Sequence, residues 1–324
     1  KTFAIIAVAA VAAVVLLSTY GGQSNSEFDQ FLSTYKKNYN SVEEYELRRA
    51  IFEDNLAYIN KRNAQNLRFT LGVNQFSDWT LEEFRSILGY KSMRKTPQDK
   101  SKWGRKVPKS DETIDWNKEG KVSPVQNQGS CGSCWAFSAV SAMEGAYAIE
   151  TGKLVKFSEQ QLVDCDPTSH GCGGGEMFWA FQYYQKHGAC FEENYTYTAR
   201  DGTCKDSQCD TDSPKITDYK LIEDDDPTTN HKYLHDRPLA LGIAAGNSDF
   251  MHYSGGVIDA SSSCGGRLDH GVELAGYDAD KDAWEIKNSW GSSWGDNGYV
   301  WVADNHEVSP GVCSVNEEIS YPIY

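Results

Sequence analysis

The sequence has few basic residues for its length, and this shortage excludes one class of partner. The 324 residues contain 31 Lys and Arg against 46 Asp and Glu, which gives a formal net charge of −15 at pH 7. Residues 109–324 hold 15 basic and 35 acidic residues, whereas residues 1–108 hold 16 and 11. So acidic a C-terminal portion argues against nucleic acid as a partner. The asymmetry predicts that the basic N-terminal segment docks on the acidic remainder.

Long apolar runs are also scarce. The run from Phe3 to Leu17 follows Lys1 and precedes Ser18, Thr19 and two glycines. It is shorter than the roughly 20 residues that a membrane-spanning helix needs. Its flanks are typical of a secretory signal, so we expect a signal peptide over residues 1–22, an oxidising compartment and no stable membrane association.

Metal-binding patterns are missing as well. Cys131 and Cys134 have two residues between them, as in a zinc knuckle, but the next pair, Cys165 and Cys172, has six. The acidic run at 223–226 lacks the spaced ligands of a calcium loop. We therefore expect no metal and no cofactor.

Cys134 has the position of a nucleophile. It lies where a loop of small residues gives way to a helix predicted from Trp135 to Thr151, which Gly152 ends. The unsatisfied N–H groups and partial positive charge of a helix start favour the thiolate, so we expect a lowered pKa for this thiol.

Other residues along the chain could complete such a site. Gln128 precedes the Cys-Gly-Ser-Cys-Trp motif, His270 follows Cys134 by 136 residues, and Asn288 lies 18 further on in Asn-Ser-Trp. With these motifs the chain resembles the papain and cathepsin L family of cysteine proteases. The resemblance implies that Cys134 is the nucleophile, His270 the acid and base, and Asn288 the residue that holds the imidazole. It also implies an oxyanion hole of Gln128 and the Cys134 backbone N–H, and a Trp290 ring that shields the contact between Asn288 and His270.

The same resemblance implies a substrate cleft. Gly174 and Gly175 would let a substrate backbone pair as a strand. Asp269 would lie near the cleft rim, because Asn288 takes the orienting role. The pocket for the second residue before the scissile bond would be lined by four residues, Met177, Gly242, Leu268 and Glu318.

Nine cysteines leave eight once Cys134 is the free nucleophile, and eight can pair in 105 ways. The resemblance implies three bridges, Cys131–Cys172, Cys165–Cys204 and Cys264–Cys313, and leaves Cys190 and Cys209 as a further pair. Asn194 begins a glycosylation sequon, Asn-Tyr-Thr.

The N-terminal segment resembles the inhibitory propeptide of cathepsin L-like enzymes. Six residues fall within one arc of a helix and match its ERFNIN motif: Glu44, Arg48, Phe52, Asn55, Ile59 and Asn63. Four match the companion motif, Gly72, Asn74, Phe76 and Asp78. Because the helical stripe mixes charged and amide groups with apolar ones, we expect it to organise contacts. We also expect a strand over residues 69–76 and a helix capped by Thr80 and Glu83 that ends at Leu88.

We therefore expect an α+β, papain-like fold with a helical lobe, a β-barrel-like lobe and a cleft between them, preceded by a helical propeptide domain. The expected segments are a signal peptide (1–22), a propeptide (23–90), a cleavable linker (91–109) and a peptidase domain (110–324). The expected protein is a monomeric cysteine endopeptidase, inhibited by its own propeptide, activated at acid pH, and either secreted or lysosomal or vacuolar. The alternatives are an inactive peptide-binding relative and an exopeptidase. The intact motifs disfavour the first, and the absence of a blocking insertion between Cys172 and Tyr197 disfavours the second.

Overall fold

A computed structural model describes most of the chain, namely residues 26–92, 110–210, 212–223, 226, 228–304 and 310–324. The predicted signal peptide and residues 93–109 of the predicted linker lie outside the described residues. Within the described part of the chain, no helix combines the length and the apolar character needed to cross a bilayer.

The longer helices come first along the chain and most strands come last. The helices are α1 (Glu27–Tyr35), α2 (Val42–Asn63), α3 (Leu81–Ser86), α4 (Cys134–Thr151), α5 (Glu159–Cys165), α6 (Met177–His187), α7 (Thr229–Leu234) and α8 (Ser248–Met251). The strands are β1 (Phe69–Leu71), β2 (Ile114–Asp115), β3 (Asp218–Ile222), β4 (Leu239–Ile243), β5 (Tyr253–Ile258), β6 (His270–Asp278), β7 (Ala283–Lys287), β8 (Tyr299–Ala303) and β9 (Ile319–Ile323). Helix α4 begins at Cys134, one residue before its predicted start, and is capped after Thr151 by Gly152, which has a φ of 74°.

One sheet joins the β lobe to the N-terminal segment. Its strand order is β1-β5-β8-β7-β6-β4-β9-β3, and β2 pairs with β6. Strand β1 pairs antiparallel with β5, with Thr70 opposite Gly255. A Cβ at Gly256, which has a φ of +78°, would lie 2.3 Å from the Arg68 carbonyl oxygen. Glycine at this edge therefore lets the N-terminal segment approach and extend the sheet.

Three clusters of buried side chains form the core. One underlies the β lobe and includes Trp284 and Trp294, and one fills the helical lobe around Trp135. The N-terminal segment has its own aromatic cluster of Phe28, Phe31 and Phe52. Because Phe52 lies on α2 and the other two lie on α1, this cluster packs the two helices together.

The stripe along α2 organises contacts, as its composition predicts. Its apolar members, Phe52 and Ile59, are buried. Asn55 Nδ2 donates to the carbonyl oxygens of Ser77 and Trp79, both at 2.9 Å. Asn63 bonds to both backbone groups of Leu71, at 2.8 and 2.9 Å. The amides thus hold the segment that follows α2 against the helix.

The strand predicted over residues 69–76 was too long, because β1 ends at Leu71. The Asn74 side chain accepts from the Phe76 N–H at 2.9 Å, and Ser77 Oγ accepts from the Asn74 N–H at 3.0 Å. Such side-chain bonds to nearby backbone form a turn in place of a strand. The predicted capping box of Thr80 and Glu83 is present, although α3 ends at Ser86.

Candidate active site

Cys134 is buried at the first position of α4, on the helical lobe. It is the free cysteine of the described residues. Three residues earlier, Cys131 forms a disulfide with Cys172, and the Gly132 N–H donates to the Cys172 carbonyl at 3.0 Å. The loop before α4 is therefore fixed to the loop around Cys172, and together they hold Cys134 in one place.

His270 begins β6 on the opposite lobe, and Asn288 follows β7. His270 Nε2 lies 2.8 Å from Asn288 Oδ1, which also accepts from the Ser289 N–H at 2.8 Å. Because Oδ1 accepts, Nε2 carries the proton and Nδ1 is left for proton exchange. The Trp290 indole stacks on the imidazole with ring centroids 4.6 Å apart. The ring is thus held by one bond and one aromatic face.

Gln128 is fixed with its amide nitrogen toward the site. Its Oε1 accepts from Ser289 Oγ at 2.7 Å and from Trp290 Nε1 at 3.1 Å. Its Nε2 donates to the carbonyl oxygens of Cys131 at 2.8 Å and Ile87 at 2.9 Å. The two hydrogen bonds that Oε1 accepts fix the orientation of the amide. Nε2 is therefore a preorganised donor that points at the backbone carbonyl groups beside the Cys134 thiol.

The segment after α3 lies in the cleft and covers Cys134. The Gly89 N–H donates to Cys134 Sγ at 3.2 Å. A Cβ on Gly89 would lie 1.7 Å from the Gly132 carbonyl oxygen, so only glycine fits here. The segment places an N–H group against Sγ. Attack on a peptide bond needs a carbonyl carbon at that position, so the segment is not positioned for cleavage.

The same segment pairs as a strand with the wall of the cleft. The Gly175 N–H donates to the Gly89 carbonyl and the Lys91 N–H donates to the Gly175 carbonyl, both at 2.9 Å. The pairing is parallel, with Tyr90 opposite Gly175. A Cβ on Gly174 would lie 2.4 Å from the Gly89 carbonyl oxygen. The two predicted cleft glycines thus lie where a peptide backbone packs.

Burial decides the charge state of the two reactive side chains. It raises the pKa of the Cys134 thiol to about 11, although N–H groups of Gly271, Gly89 and Trp135 oppose the shift. It lowers the pKa of His270 to about 4, although the hydrogen bond that His270 donates to Asn288 opposes this shift. The prediction of a lowered thiol pKa is wrong for this covered state. Desolvation outweighs the helix start, and the pair is a neutral thiol and a neutral imidazole.

Tyr90 fills a pocket beside the cleft. A Cβ on Gly242 would lie 2.6 Å from Tyr90 Cε1 and 3.2 Å from Leu268 Cδ1. Met177 and Leu268 belong to the same buried cluster as Tyr90. The Tyr90 hydroxyl donates to Glu318 Oε1, and Ser92 Oγ donates to Glu318 Oε2 at 2.9 Å. Burial raises the pKa of Glu318 to about 7.

Asp269 does not contact the His270 side chain through any described hydrogen bond. Its carboxylate accepts from the Ala245 N–H at 2.7 Å and the Gly246 N–H at 3.1 Å. Its carbonyl oxygen accepts from the Tyr90 N–H at 3.0 Å. Asp269 therefore fixes the neighbouring loop and pairs with the covering segment through its backbone.

One ion pair crosses between the N-terminal segment and the rest of the described chain. Arg62 donates from Nε to Asp249 Oδ1 at 2.9 Å and from its terminal nitrogen Nη2 to Oδ2 at 2.8 Å. Tyr58 donates to the same carboxylate at 2.9 Å. This bidentate contact holds the pKa of Asp249 below its usual range, against the effect of burial.

Residues 1–92 have ten basic and ten acidic residues, so the basic excess lies in residues 93–108. The sequence predicts attraction between a basic segment and the acidic remainder. In the described residues, the ion pair between Arg62 and Asp249 is the contact that represents this attraction.

The structure contains four disulfides, Cys131–Cys172, Cys165–Cys204, Cys190–Cys209 and Cys264–Cys313. Among the described residues, one group of three potential metal ligands comes together, Cys165, Cys204 and Asp206. Its two cysteines are bonded to each other, so they cannot act as thiolate ligands. Asn194 is partly exposed and donates through Nδ2 to Asp210 at 3.3 Å.

Sequence reasoning missed three residues at this site. Tyr90 and Gly89 follow the last predicted propeptide element without a motif of their own. Glu176 lies between the cleft glycines and Met177, and its Oε1 is 3.2 Å from the Tyr90 hydroxyl. The sequence does offer one signal for Glu176, because an acidic residue there separates a run of glycines from a helix with a largely apolar sequence.

Models of two known families match the chain. The model described as papain family cysteine protease matches residues 110–323. The model described as cathepsin propeptide inhibitor domain (I29) matches residues 28–84. The two matches separate an N-terminal part from the two-lobed remainder, and the segment that covers Cys134 lies between them.

Individual proteins are similar over most of the chain. Cysteine protease XCP2 of Arabidopsis thaliana is 40% identical over 304 residues, which cover 91% of this chain and 85% of the relative. The crystal structure of the proform of Amb a 11, a ragweed pollen allergen and cysteine protease, is 35% identical with a TM-score of 0.79, covering 91% of this chain and 93% of that one. A recombinant stem bromelain precursor is 31% identical with a TM-score of 0.80, covering 91% and 97%.

Proposed function

Because the chain belongs to the papain family of cysteine proteases, we propose that Cys134, His270, Asn288 and Gln128 perform the roles that the family motifs imply. The protein is a cysteine endopeptidase made as a zymogen, and its own propeptide is the intramolecular inhibitor. The predicted papain-like α+β fold is confirmed by the solved proforms that it resembles.

In the proposed reaction, removal of the propeptide readmits water to the cleft and relieves the desolvation of both reactive groups. The proton of Cys134 then passes to His270 Nδ1, giving a thiolate and an imidazolium. The thiolate attacks the scissile carbonyl carbon. The negative charge on the carbonyl oxygen is stabilised by Gln128 Nε2 and the Cys134 N–H.

His270 next gives its proton to the leaving amine, and the C–N bond breaks to leave a thioester on Cys134. Water, deprotonated by His270, attacks the thioester and releases the acid product and the thiol. Asn288 keeps the imidazole in the required tautomer through Nε2 and adds no charge.

The observation that supports this proposal most is the contact of Gln128 with Ile87. The amide nitrogen that would stabilise the oxyanion already binds a peptide carbonyl oxygen, at 2.9 Å, beside the buried free thiol. A site that binds a backbone carbonyl next to a nucleophile has the geometry that acyl transfer requires.

Substitution of the proposed catalytic residues tests the proposal. In the processed enzyme, Cys134→Ala should abolish peptide hydrolysis and His270→Ala should be nearly as damaging. Asn288→Ala should retain more activity, because only the orientation of the ring is lost. The kcat/KM of each folded variant on a peptide substrate checks this order. Turnover by Cys134→Ala, in a preparation cleared of contaminating protease, would contradict the assignment.

We further propose that acid triggers propeptide release, with two groups of the α8 region carrying the response. Asp249 has a lowered pKa because Arg62 binds it, so protonation at low pH removes that contact. His252 is fully buried, and burial lowers its pKa to about 4. Its carbonyl oxygen accepts from the propeptide Gly72 N–H at 2.8 Å. As the pH falls from about 6.5 toward 4, the His252 imidazole binds a proton when it is exposed to solvent but stays neutral when it is buried. Acid therefore favours the open state, in which His252 is exposed.

The remaining assignments complete the proposal. Met177, Gly242, Leu268 and Glu318 form the pocket for the second residue before the scissile bond, with Gly174, Gly175 and Asp269 pairing the substrate backbone. Residues 1–22 are a signal peptide, 23–90 the propeptide, 91–109 the cleavable linker and 110–324 the peptidase. The enzyme is a monomer, secreted or delivered to a lysosome or vacuole, where Asn194 is glycosylated and peptides and proteins are its substrates.

A further inference from the structure

The pocket that holds Tyr90 contains a second buried carboxyl. Glu176, directly before α6, is 1% exposed, and Glu318, directly before β9, is 2% exposed. The Tyr90 hydroxyl lies 3.2 Å from Glu176 Oε1 and also donates to Glu318 Oε1. Two carboxyls from different lobes therefore converge on one hydroxyl group at the end of an apolar pocket.

The two oxygens of Glu176 have separate surroundings. Its Oε2 accepts from the Phe178 N–H at 3.2 Å and so caps α6. Its Oε1 faces the hydroxyl of the pocket's occupant. Capping requires only one oxygen, so the second is available to whichever side chain fills the pocket.

The hydrogen-bond donors and acceptors of the pocket match those of a phenol. A phenol has one hydrogen to donate and lone pairs to accept. All three groups are satisfied when the two carboxyls keep one proton between them, because the carboxylic acid then donates to the phenol and the phenol donates to the carboxylate. Burial raises the pKa of Glu176 to about 8 and that of Glu318 to about 7, in keeping with a retained proton.

We propose that Glu176 is a specificity-determining residue of this pocket, and that with Glu318 it makes the enzyme select tyrosine over phenylalanine at the substrate position that fills the pocket. The inference rests on the proposed function, since it assigns a preference to the same protease site. Propeptide residue Tyr90 is the template for this substrate side chain.

The preference follows from the tip of the side chain. The ring of either residue would pack against Gly242 and Leu268 in the same way. Phenylalanine, however, would displace water from both carboxyls and offer neither of them a partner. A site built to bond a hydroxyl rejects the analogue that lacks it, because its own buried polar groups are left unpaired.

The test uses the processed enzyme and three peptides that differ only at the pocket position, which is Tyr, Phe or O-methyltyrosine. We expect kcat/KM for Tyr to exceed that for Phe by about tenfold, with O-methyltyrosine close to Phe because it cannot donate. A Tyr-to-Phe ratio at or below one in the wild-type enzyme would overturn the proposal. Cleavage of the Phe peptide that depends on Cys134 would show that the proposed protease function stands regardless.

Two substitutions of Glu176 separate selection from capping. Glu176→Leu should reduce the Tyr-to-Phe ratio of kcat/KM several-fold. If Glu176 only caps α6, the substitution would lower kcat/KM for both peptides by the same factor, and that result would contradict the proposal. Glu176→Gln keeps a cap acceptor and an amide that can donate to a phenol. It should preserve the Tyr preference, because the amide nitrogen replaces the carboxylic acid as the donor to the phenol. Loss of the Tyr preference in Glu176→Gln would oppose the proposal even if Glu176→Leu does not fold. Glu150→Leu, at the exposed end of α4, is the matched control.

Discussion

At the scale of single residues, the proposed pocket role of Glu318 predicts a specificity that varies with pH. We expect ionised Glu318 to pair with a substrate Arg and the protonated acid to favour Leu or Phe. With Tyr90 in the pocket the pKa of Glu318 is about 7, so its charge changes close to neutral pH. The ratio of Arg to Leu cleavage should therefore rise with pH, and Glu318→Ala should remove the rise while sparing Leu. Paired substrates measured from pH 5 to 8 check this; a flat wild-type ratio would refute it.

Gly89 gives a second residue-scale prediction, which concerns inhibition. A Cβ at this position would lie 1.7 Å from the Gly132 carbonyl, so the covering segment could not keep its path over Cys134. Gly89→Ala should therefore make the intact precursor leaky, seen as faster labelling of Cys134 by a thiol-alkylating epoxide at neutral pH. Gly120→Ala is the control: a Cβ there meets no atom within 4 Å, although its φ of +66° makes mild strain. Labelling of Gly89→Ala at the rate of the control would contradict this role.

The sequence could predict which residues form the candidate site but not their charge state in the precursor. Cys134, His270 and Asn288 have motifs of their own, and their spacing along the chain is visible in the sequence. The raised pKa of Cys134 depends on burial under Gly89, a residue 45 positions earlier in the chain. No local pattern encodes that desolvation, which is why the predicted low pKa failed for the precursor.

At the scale of elements, the propeptide is held by an added strand and by a buried ion pair from α2. Arg62 reaches a fully buried Asp249, and removing one partner of such a pair leaves a charge uncompensated, a cost of about 3 kcal/mol. Arg62→Ala should therefore speed precursor conversion at a given pH. Arg49→Ala is the matched control, since Arg49 pairs with Glu53 on the exposed face of the same helix. Time courses on gels compare the two; equal rates would exclude a holding role for Arg62.

Helix starts and turns were the most predictable elements. The capping box at Thr80 and Glu83 and the glycine after α4 are local, and the structure contains both. The end of β1 was not predictable, because it depends on whether Asn74 bonds to its own turn or lets the strand continue. The pairing of β1 with β5 is also invisible to sequence patterns, since it joins residues nearly 190 positions apart.

At the scale of the whole molecule, the proposed acid response is a balance between contacts that acid weakens and contacts that acid strengthens. We expect acid to weaken the α8 contacts of Asp249 and His252. It strengthens the pocket contact of Tyr90, because Glu318 and Glu176 have raised pKa values in the covered state and bind protons more readily there. His252→Leu should lower the pH at which the precursor converts, whereas His235→Leu, on an exposed residue, should leave it unchanged. Conversion scored from pH 3.5 to 7 measures the shift, and coincident curves would rule out His252.

The distribution of charge shows a limit of composition-based reasoning for the whole chain. The +5 of residues 1–108 comes entirely from residues 93–108, because residues 1–92 are balanced. The fold class and cleft followed from the resemblance, but the contacts that hold the two domains together are aromatic, backbone and single-pair interactions. Phe76 and Phe84 of the propeptide pack edge-on against Trp290, with centroids 5.4 and 5.2 Å apart.

The central claim is that the propeptide keeps Cys134 as a buried, neutral thiol and that its removal creates the reactive thiolate. The direct measurement is the rate of Cys134 alkylation by iodoacetamide against pH, in the intact precursor and in the processed enzyme. A thiol with a pKa of about 11 is only about 0.01% ionised at pH 7, so the precursor should react very slowly and accelerate only at alkaline pH. The processed enzyme should react fast across the neutral and mildly acid range. Equal rates and equal pH profiles in the two forms would contradict the account.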